Sequence, residues 1–150
     1  MIGEILHIGL TVTDLDKSID FYKNVLGLKF LGELIMEGRE ADILFGRRNS
    51  RARIGYFNGG TLKAPPIELI QFTDIEVERQ EADLFRTSAS EICLFTDDIW
   101  KAYRELSAKG VSFISEPQDF DFTKHGFGKS RAVYFKDPDG IILELIQNVE

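Results

Sequence analysis

Two glutamates stand inside stretches that should be apolar throughout. Ile67-Glu68-Leu69-Ile70-Gln71 and Leu143-Glu144-Leu145-Ile146-Gln147 share four consecutive residues, Glu-Leu-Ile-Gln, at an offset of 76 (68 to 144). Side chains alternate across a strand, so Glu68 shares its face with Ile70, and Glu144 shares its face with Ile142 and Ile146. A carboxylate in such company must be paired, hydrogen-bonded or bound to a cation, since burying it bare costs several kcal/mol. The same alternation in His7-Ile8-Gly9-Leu10-Thr11-Val12 puts Leu6, Ile8, Leu10 and Val12 on one face and His7, Gly9 and Thr11 on the other. In Glu91-Ile92-Cys93-Leu94, Ile92 and Leu94 match the apolar set, and Glu91 takes the direction of His7.

If the two halves pair face to face, His7, Glu68, Glu91 and Glu144 converge. One imidazole and three carboxylates make a hard, oxygen-rich set suited to a single divalent ion, Mn, Fe, Ni, Co or Zn. Each residue also has a plainer reading. His7 alone reads as a hydrogen-bonded structural histidine, Glu68 as the partner of an arginine such as Arg53, and Glu91 as a surface-edge carboxylate. Glu144, in the most apolar strand, is the strongest ligand candidate. Their occurrence together at repeat-related positions favours a shared site.

The elements that must carry these residues come in two similar sets. His7–Leu15 matches Glu91–Ile99 at an offset of 84, each a strand pattern ending in an acidic helix cap. The first helix is expected from about Asp14 to Leu26, with Leu15, Ile19, Tyr22 and Leu26 as its stripe and Gly27 as its stop. The second is expected from about Asp98 to Lys109, with Gly110 as its stop. Residues 28–31 and 111–114 follow as strands, and 29–36, 41–46, 51–57 and 131–136 also look extended. Asp137-Pro138-Asp139-Gly140 is a turn signal. The expected architecture is α+β: two βαβββ modules forming a cupped mixed sheet, module one over about 1–74, an acidic linker over about 75–89 and module two over about 90–150, all one domain.

Bulk properties narrow the function classes. The 150 residues carry a net charge of −7, which argues against a nucleic-acid binder needing a basic face. The local exception, Arg47 to Arg53, reads as a solvated hairpin tip or as a holder for an anionic substrate tail. The single cysteine, Cys93, excludes an intrachain disulfide and a thiolate zinc site. No stretch is long and apolar enough for a membrane span, and Met1-Ile2-Gly3-Glu4 leads directly into a strand pattern, so a cytoplasmic protein is expected.

His7-Ile8-Gly9-Leu10, Phe21-Tyr22-Lys23-Asn24-Val25-Leu26-Gly27-Leu28, Asp97-Asp98-Ile99, and Phe135-Lys136-Asp137-Pro138-Asp139-Gly140 with Leu143-Glu144-Leu145 resemble the vicinal oxygen chelate superfamily. That superfamily includes glyoxalase I, methylmalonyl-CoA epimerase, extradiol dioxygenases and the fosfomycin and bleomycin resistance proteins, and the resemblance spans essentially the whole chain. It implies metal ligands at His7, Glu68, Glu91 and Glu144. It also implies a lyase or isomerase that moves a proton beside a metal-polarised carbonyl, with Glu144 or Glu91 as the base. Glu68 resembles the glyoxalase pattern more than the epimerase one, which tends to have Gln there. Glu91 departs from the His usual in metal-dependent relatives; a carboxylate there weakens Lewis acidity or marks a member that has lost its metal.

An extradiol-type dioxygenase ranks lower, because that chemistry favours two histidines and one carboxylate and a single histidine is available. Fosfomycin-type thiol transfer falls on the same ground. A third reading, from another class, is a metal-free protein that sequesters a small apolar ligand against Phe45, Phe57, Phe72, Phe95, Phe120, Phe122 and Phe127. Arg53, His125 and Phe127 are the candidate substrate contacts. The expected partners are a small molecule and a second copy in a homodimer, with no nucleic acid and no membrane; family members pair their halves within one chain or across a dimer.

Overall fold

The structure, a computed structural model, describes residues 3–60, 64–87 and 91–149. Met1 and Ile2, the last part of the expected linker at Ser88 and Ala89, and Ser90 lie outside the described residues. The chain divides into two compact units, Met1–Arg79 and Gln80–Glu150.

The first unit runs β1 (Ile8–Thr11), α1 (Leu15–Asp20), β2 (Lys29–Glu37), α2 (Arg39–Phe45), β3 (Arg51–Asn58) and β4 (Ile67–Phe72). The second runs β5 (Ile92–Phe95), α3 (Ile99–Ala108), β6 (Gln118–Asp121), β7 (Lys129–Lys136) and β8 (Ile142–Val149). Each unit builds a four-stranded mixed sheet of the same order, β1-β4-β3-β2 and β5-β8-β7-β6. The first strand of each unit lies at the edge of its sheet, parallel to the last strand, and the remaining pairs are antiparallel. This is the α+β, twice-repeated arrangement expected from the sequence.

Both strand-to-helix junctions are tied in the same way. Asp14 and Asp98 cap α1 and α3, their carboxylates accepting from the backbone N–H of Lys17 and Lys101. The glutamine that ends each Glu-Leu-Ile-Gln segment reaches over from the last strand. Gln71 Oε1 accepts from Leu15 N at 2.9 Å while its Nε2 donates to Thr13 O at 3.2 Å. Gln147 repeats this with Ile99 N at 3.0 Å and Asp97 O at 2.8 Å. The Glu-Leu-Ile-Gln repeat therefore serves both faces, glutamate on one and junction-tying glutamine on the other. Gln71→Ala orphans the first amide of α1, and the expected loss is about 1–3 kcal/mol. Urea unfolding checks it, with Gln147→Ala as the matching change in the second unit.

The core lies between each sheet and its helix. Leu10, Val12, Leu15, Tyr22, Phe57 and Leu69 are buried in the first unit, and Ile92, Ile99, Leu106, Phe135, Leu143 and Leu145 in the second. Leu6, expected on the helix side, is 78% exposed, because pairing in β1 starts only at Ile8. The expected first helix is α-helical only to Asp20. It widens into a π turn over Phe21–Val25, closed by Leu26 N donating to Phe21 O, and adjacent Phe21 and Tyr22 are both buried there. Gly27 and Gly110 end the two helical segments with φ of +75° and +85°, a conformation glycine adopts without strain.

Two expected strands are corrected. Residues 41–46 do not extend: Arg39–Phe45 is helical, stopped by left-handed Gly46. The Asp42 carboxylate then accepts from Asn49 N and Ser50 N and so fixes the return into β3. Residues 111–114 make only a bridge, Phe113 to Phe135, and the paired strand comes later, at Gln118–Asp121. The Asp137 turn forms as expected, its carboxylate accepting from Asp139 N and Ile141 N. Among the described residues, no helix is long and apolar enough to cross a membrane.

Candidate metal centre

Register fixes which side chains share a face. In the first unit Gly9, Glu68, Tyr56 and Gly32 form one row across the sheet, on the face opposite the Leu10–Leu69 row that packs under α1. Glu68 is only 6% exposed. His7, just ahead of β1, places Nε2 2.7 Å from Glu68 Oε2, with the imidazole half exposed. The Tyr56 ring meets the His7 ring edge-on. Burial first, and then the charge of Glu68, raise the Tyr56 pKa. The buried carboxylate is thus partnered, by His7 rather than by an arginine.

The second unit repeats the row with different chemistry: Cys93, Glu144 and Tyr134 are in register. Glu144 is half-buried and Glu91 exposed. The Cys93 thiol is pushed up to about 12, first by burial, then by its hydrogen bond to Glu144 and the charges of Glu144 and Glu91. It stays protonated at neutral pH, which removes it as a nucleophile. Tyr134 is raised by burial and then by Glu144, Glu91 and Cys93. Among the described residues, neither Glu91 nor Glu144 pairs with a lysine, arginine or histidine.

By type, an imidazole and three carboxylates suit a divalent cation. Two ligands bound side by side at about 2.0–2.2 Å from one ion sit roughly 3 Å apart, close to the 2.7 Å spacing of His7 Nε2 and Glu68 Oε2. Of the four expected ligands, His7 and Glu68 are the two the structure brings into contact. Among the described residues, no group of three or more His, Cys, Asp and Glu is gathered to hold a metal.

The expected substrate contacts sit elsewhere. Arg53 shares the α1 face with Phe57, opposite Glu68, and bonds Glu33 through Nε at 2.7 Å and Asp16 through Nη2 at 2.8 Å. These two carboxylates raise its pKa further, and its charge is already spent. Arg47 and Arg51 of the same segment are clasped too, by Asp74 and Glu37, while Arg48 is exposed. Three of its four arginines are therefore already paired with carboxylates. His125 and Phe127 lie in the exposed β6–β7 connection, Phe127 being 85% exposed.

Within each unit the phenylalanines take different places. Phe57 is core, Phe45 packs edge-on against Phe72, Phe120 stacks on Phe122, and Phe95 is exposed. A cavity of about 260 Å³ lies between β2 and α2, walled by aliphatic Leu34, Ile35, Met36, Ala41 and Leu44. Sequence reasoning missed Tyr56 and Tyr134. Their offset of 78 falls between the 76 of the glutamates and the 84 of the first strands, a signal that could have paired them.

Comparison with known proteins agrees with this layout. Residues 4–145 match the family model of the Glyoxalase/Bleomycin resistance protein/Dioxygenase superfamily. A probable lactoylglutathione lyase of Vibrio parahaemolyticus is 32% identical, over 97% of this chain and 91% of that protein. The lactoylglutathione lyase of Schizosaccharomyces pombe is 28% identical over 96% of this chain, which spans only 47% of that longer protein. The crystal structure of a glyoxalase family protein from Bacillus cereus shares the fold, with a TM-score of 0.85, 18% identity and coverage of 100% and 97% of the two chains. The chain belongs to the Glyoxalase/Bleomycin resistance protein/Dioxygenase superfamily.

Proposed function

We propose that the protein is a metal-dependent lyase or isomerase of the glyoxalase type, acting on a small carbonyl substrate in the cytoplasm, as a homodimer. His7, Glu68, Glu91 and Glu144 are the ligand positions for one divalent ion: Zn, Ni, Co, Mn or Fe. The observation that carries this reading is the buried Glu68 carboxylate joined to an imidazole at 2.7 Å, with its repeat partner Glu144 having no basic side chain paired to it among the described residues. Curated relatives named lactoylglutathione lyase, at about 30% identity, support the reaction class.

A bound ion supplies Lewis-acid polarisation of the substrate carbonyl, which acidifies the neighbouring C–H. Glu144, half-buried and not neutralised by a basic side chain, takes that proton and returns it on the adjacent carbon; exposed Glu91 shares the charge load. Glu68, buried and joined to His7, acts as a fixed ligand. The protonated Cys93 takes no part as a nucleophile.

One observation favours a second reading. Glu91 stands where metal-dependent relatives usually carry His, which fits a metal-free member that binds a small apolar ligand. Turnover assays separate the two. Purified protein, with and without added Ni²⁺, Zn²⁺ or Co²⁺, is given the hemithioacetal of methylglyoxal and glutathione, a single C2 epimer of a branched acyl-CoA, and catechol. Metal-stimulated conversion of the hemithioacetal or the acyl-CoA supports the proposal. Ring opening of catechol, or no turnover with any metal, overturns it.

A further inference from the structure

The two sheets end differently at equivalent edges. In the orders β1-β4-β3-β2 and β5-β8-β7-β6, β2 and β6 are matching outer strands, each paired on one side only. An open edge offers unpaired N–H and C=O groups to another strand, and short length or charge is what normally guards it. β6 is guarded: it has four residues, with Asp119 held by Arg131 and Asp121 beside Lys129. β2 is not. It runs nine residues and exposes Leu31, Leu34 and Ile35. The helix α2, which shares a cavity with β2, adds exposed Ile43 and Leu44. So many large aliphatic side chains along one open edge mark a surface that meets a partner.

Charge says which partner. The chain carries −7, so two copies repel over most of their surface. Along β2 the charge cancels, because Glu33 is bonded by Arg53 and Glu37 by Arg51, each from the neighbouring strand. Beyond the register shift at Phe30/Gly32, Glu33, Ile35 and Glu37 lie on one face and Leu34 and Met36 on the other. Opposed residues of an antiparallel pair share a face, so a two-fold axis between two copies has to fall on a residue. Centred on Ile35, it sets Ile35 against the partner's Ile35 and Leu34 against the partner's Met36. The Glu33–Arg53 ion pair then meets the pair formed by the partner's Glu37 and the partner's Arg51, which brings no net charge together. We propose that the open β2 edge is the homodimer interface, pairing antiparallel with β2 of a second copy. This rests on the homodimer of the reading above and assigns its surface.

The test is sedimentation equilibrium of the full chain across a concentration series. The unaltered protein is expected to dimerise. Ile35→Lys sets two ammonium groups against each other at the axis and should raise the dimer dissociation constant about 100-fold or more. Phe120→Lys, on the guarded β6 edge, should change it by less than about 3-fold. A dimer that Ile35→Lys leaves intact keeps the homodimer and overturns its placement on β2. A monomer at every concentration overturns both. Ile35 is exposed in the single copy, so circular dichroism of Ile35→Lys should match that of the unaltered chain. Should that variant fail to fold, Ile35→Cys in a Cys93→Ser background answers the same question. A short bis-maleimide is expected to link two copies through Ile35→Cys and none through Phe120→Cys. No link from Ile35→Cys, or an equal one from Phe120→Cys, overturns the proposal.

Discussion

Glu144→Gln is expected to lower turnover of the productive substrate by about 10²–10⁴-fold, the range for removing a general acid–base group, while the fold persists. The amide keeps the size of the carboxylate, so the row formed with Cys93 and Tyr134 has no steric reason to shift. Gln cannot take a proton from carbon, and it carries no charge for a cation. Removing one of two like charges beside Cys93 also relieves repulsion with Glu91. The melting midpoint should therefore hold steady or rise slightly. Steady-state assays paired with thermal unfolding check both halves of the expectation. Turnover kept within about twofold would take Glu144 out of the proton path.

The largest stability effect belongs to the opposite face of the sheet. Phe57 is fully buried, with its ring 5.7 Å from Tyr22 and 5.1 Å from Phe30. These three rings join β3, the π turn and β2, so truncating the middle one leaves a cavity that none of the neighbours can fill by a simple rotamer change. Phe57→Ala should cost about 3–5 kcal/mol, read from denaturant midpoints at constant slope. A loss below about 1 kcal/mol would mean that the π turn repacks freely. Tyr56 and Phe57 are adjacent in sequence yet serve different faces, the first beside Glu68 and the second in the core.

The repeat made most of this fold legible. The matched Glu-Leu-Ile-Gln ends, the paired acidic caps and the two stop glycines each describe one supersecondary unit used twice, and both sheets follow from them. Strand alternation also assigned the faces of β1 and β4 correctly, setting Glu68 opposite the helix. The failures have physical causes. Ala41-Asp42-Ile43-Leu44-Phe45 is apolar enough to pass for a strand, but Glu40, Ala41 and Leu44 are good helix formers, and Asp42 closes a turn no alternation pattern reveals. Residues 111–114 have strand composition, but only Phe113 finds a bridge partner.

The site was legible in its residue types and less so in its partners. A glutamate embedded among isoleucines and leucines announces that something must neutralise it. It does not say whether that is an arginine, a histidine or an ion. Arg53 was a reasonable candidate until register turned it to the other face, where Asp16 and Glu33 hold it. Tyr56 and Tyr134 escaped notice for the opposite reason. Neither looks anomalous in its own strand, and each matters only through the cross-strand neighbour that register supplies.

The proposed reaction depends on these carboxylates holding an ion. Metal analysis of the protein stripped with chelator and then titrated with Co²⁺ or Zn²⁺ asks that directly. About one equivalent per chain is expected, with binding weakened by His7→Ala and by Glu144→Gln alike. Retention of no metal, with spectra and stability unchanged by titration, would contradict it and leave a fold that has kept its glutamates for another purpose.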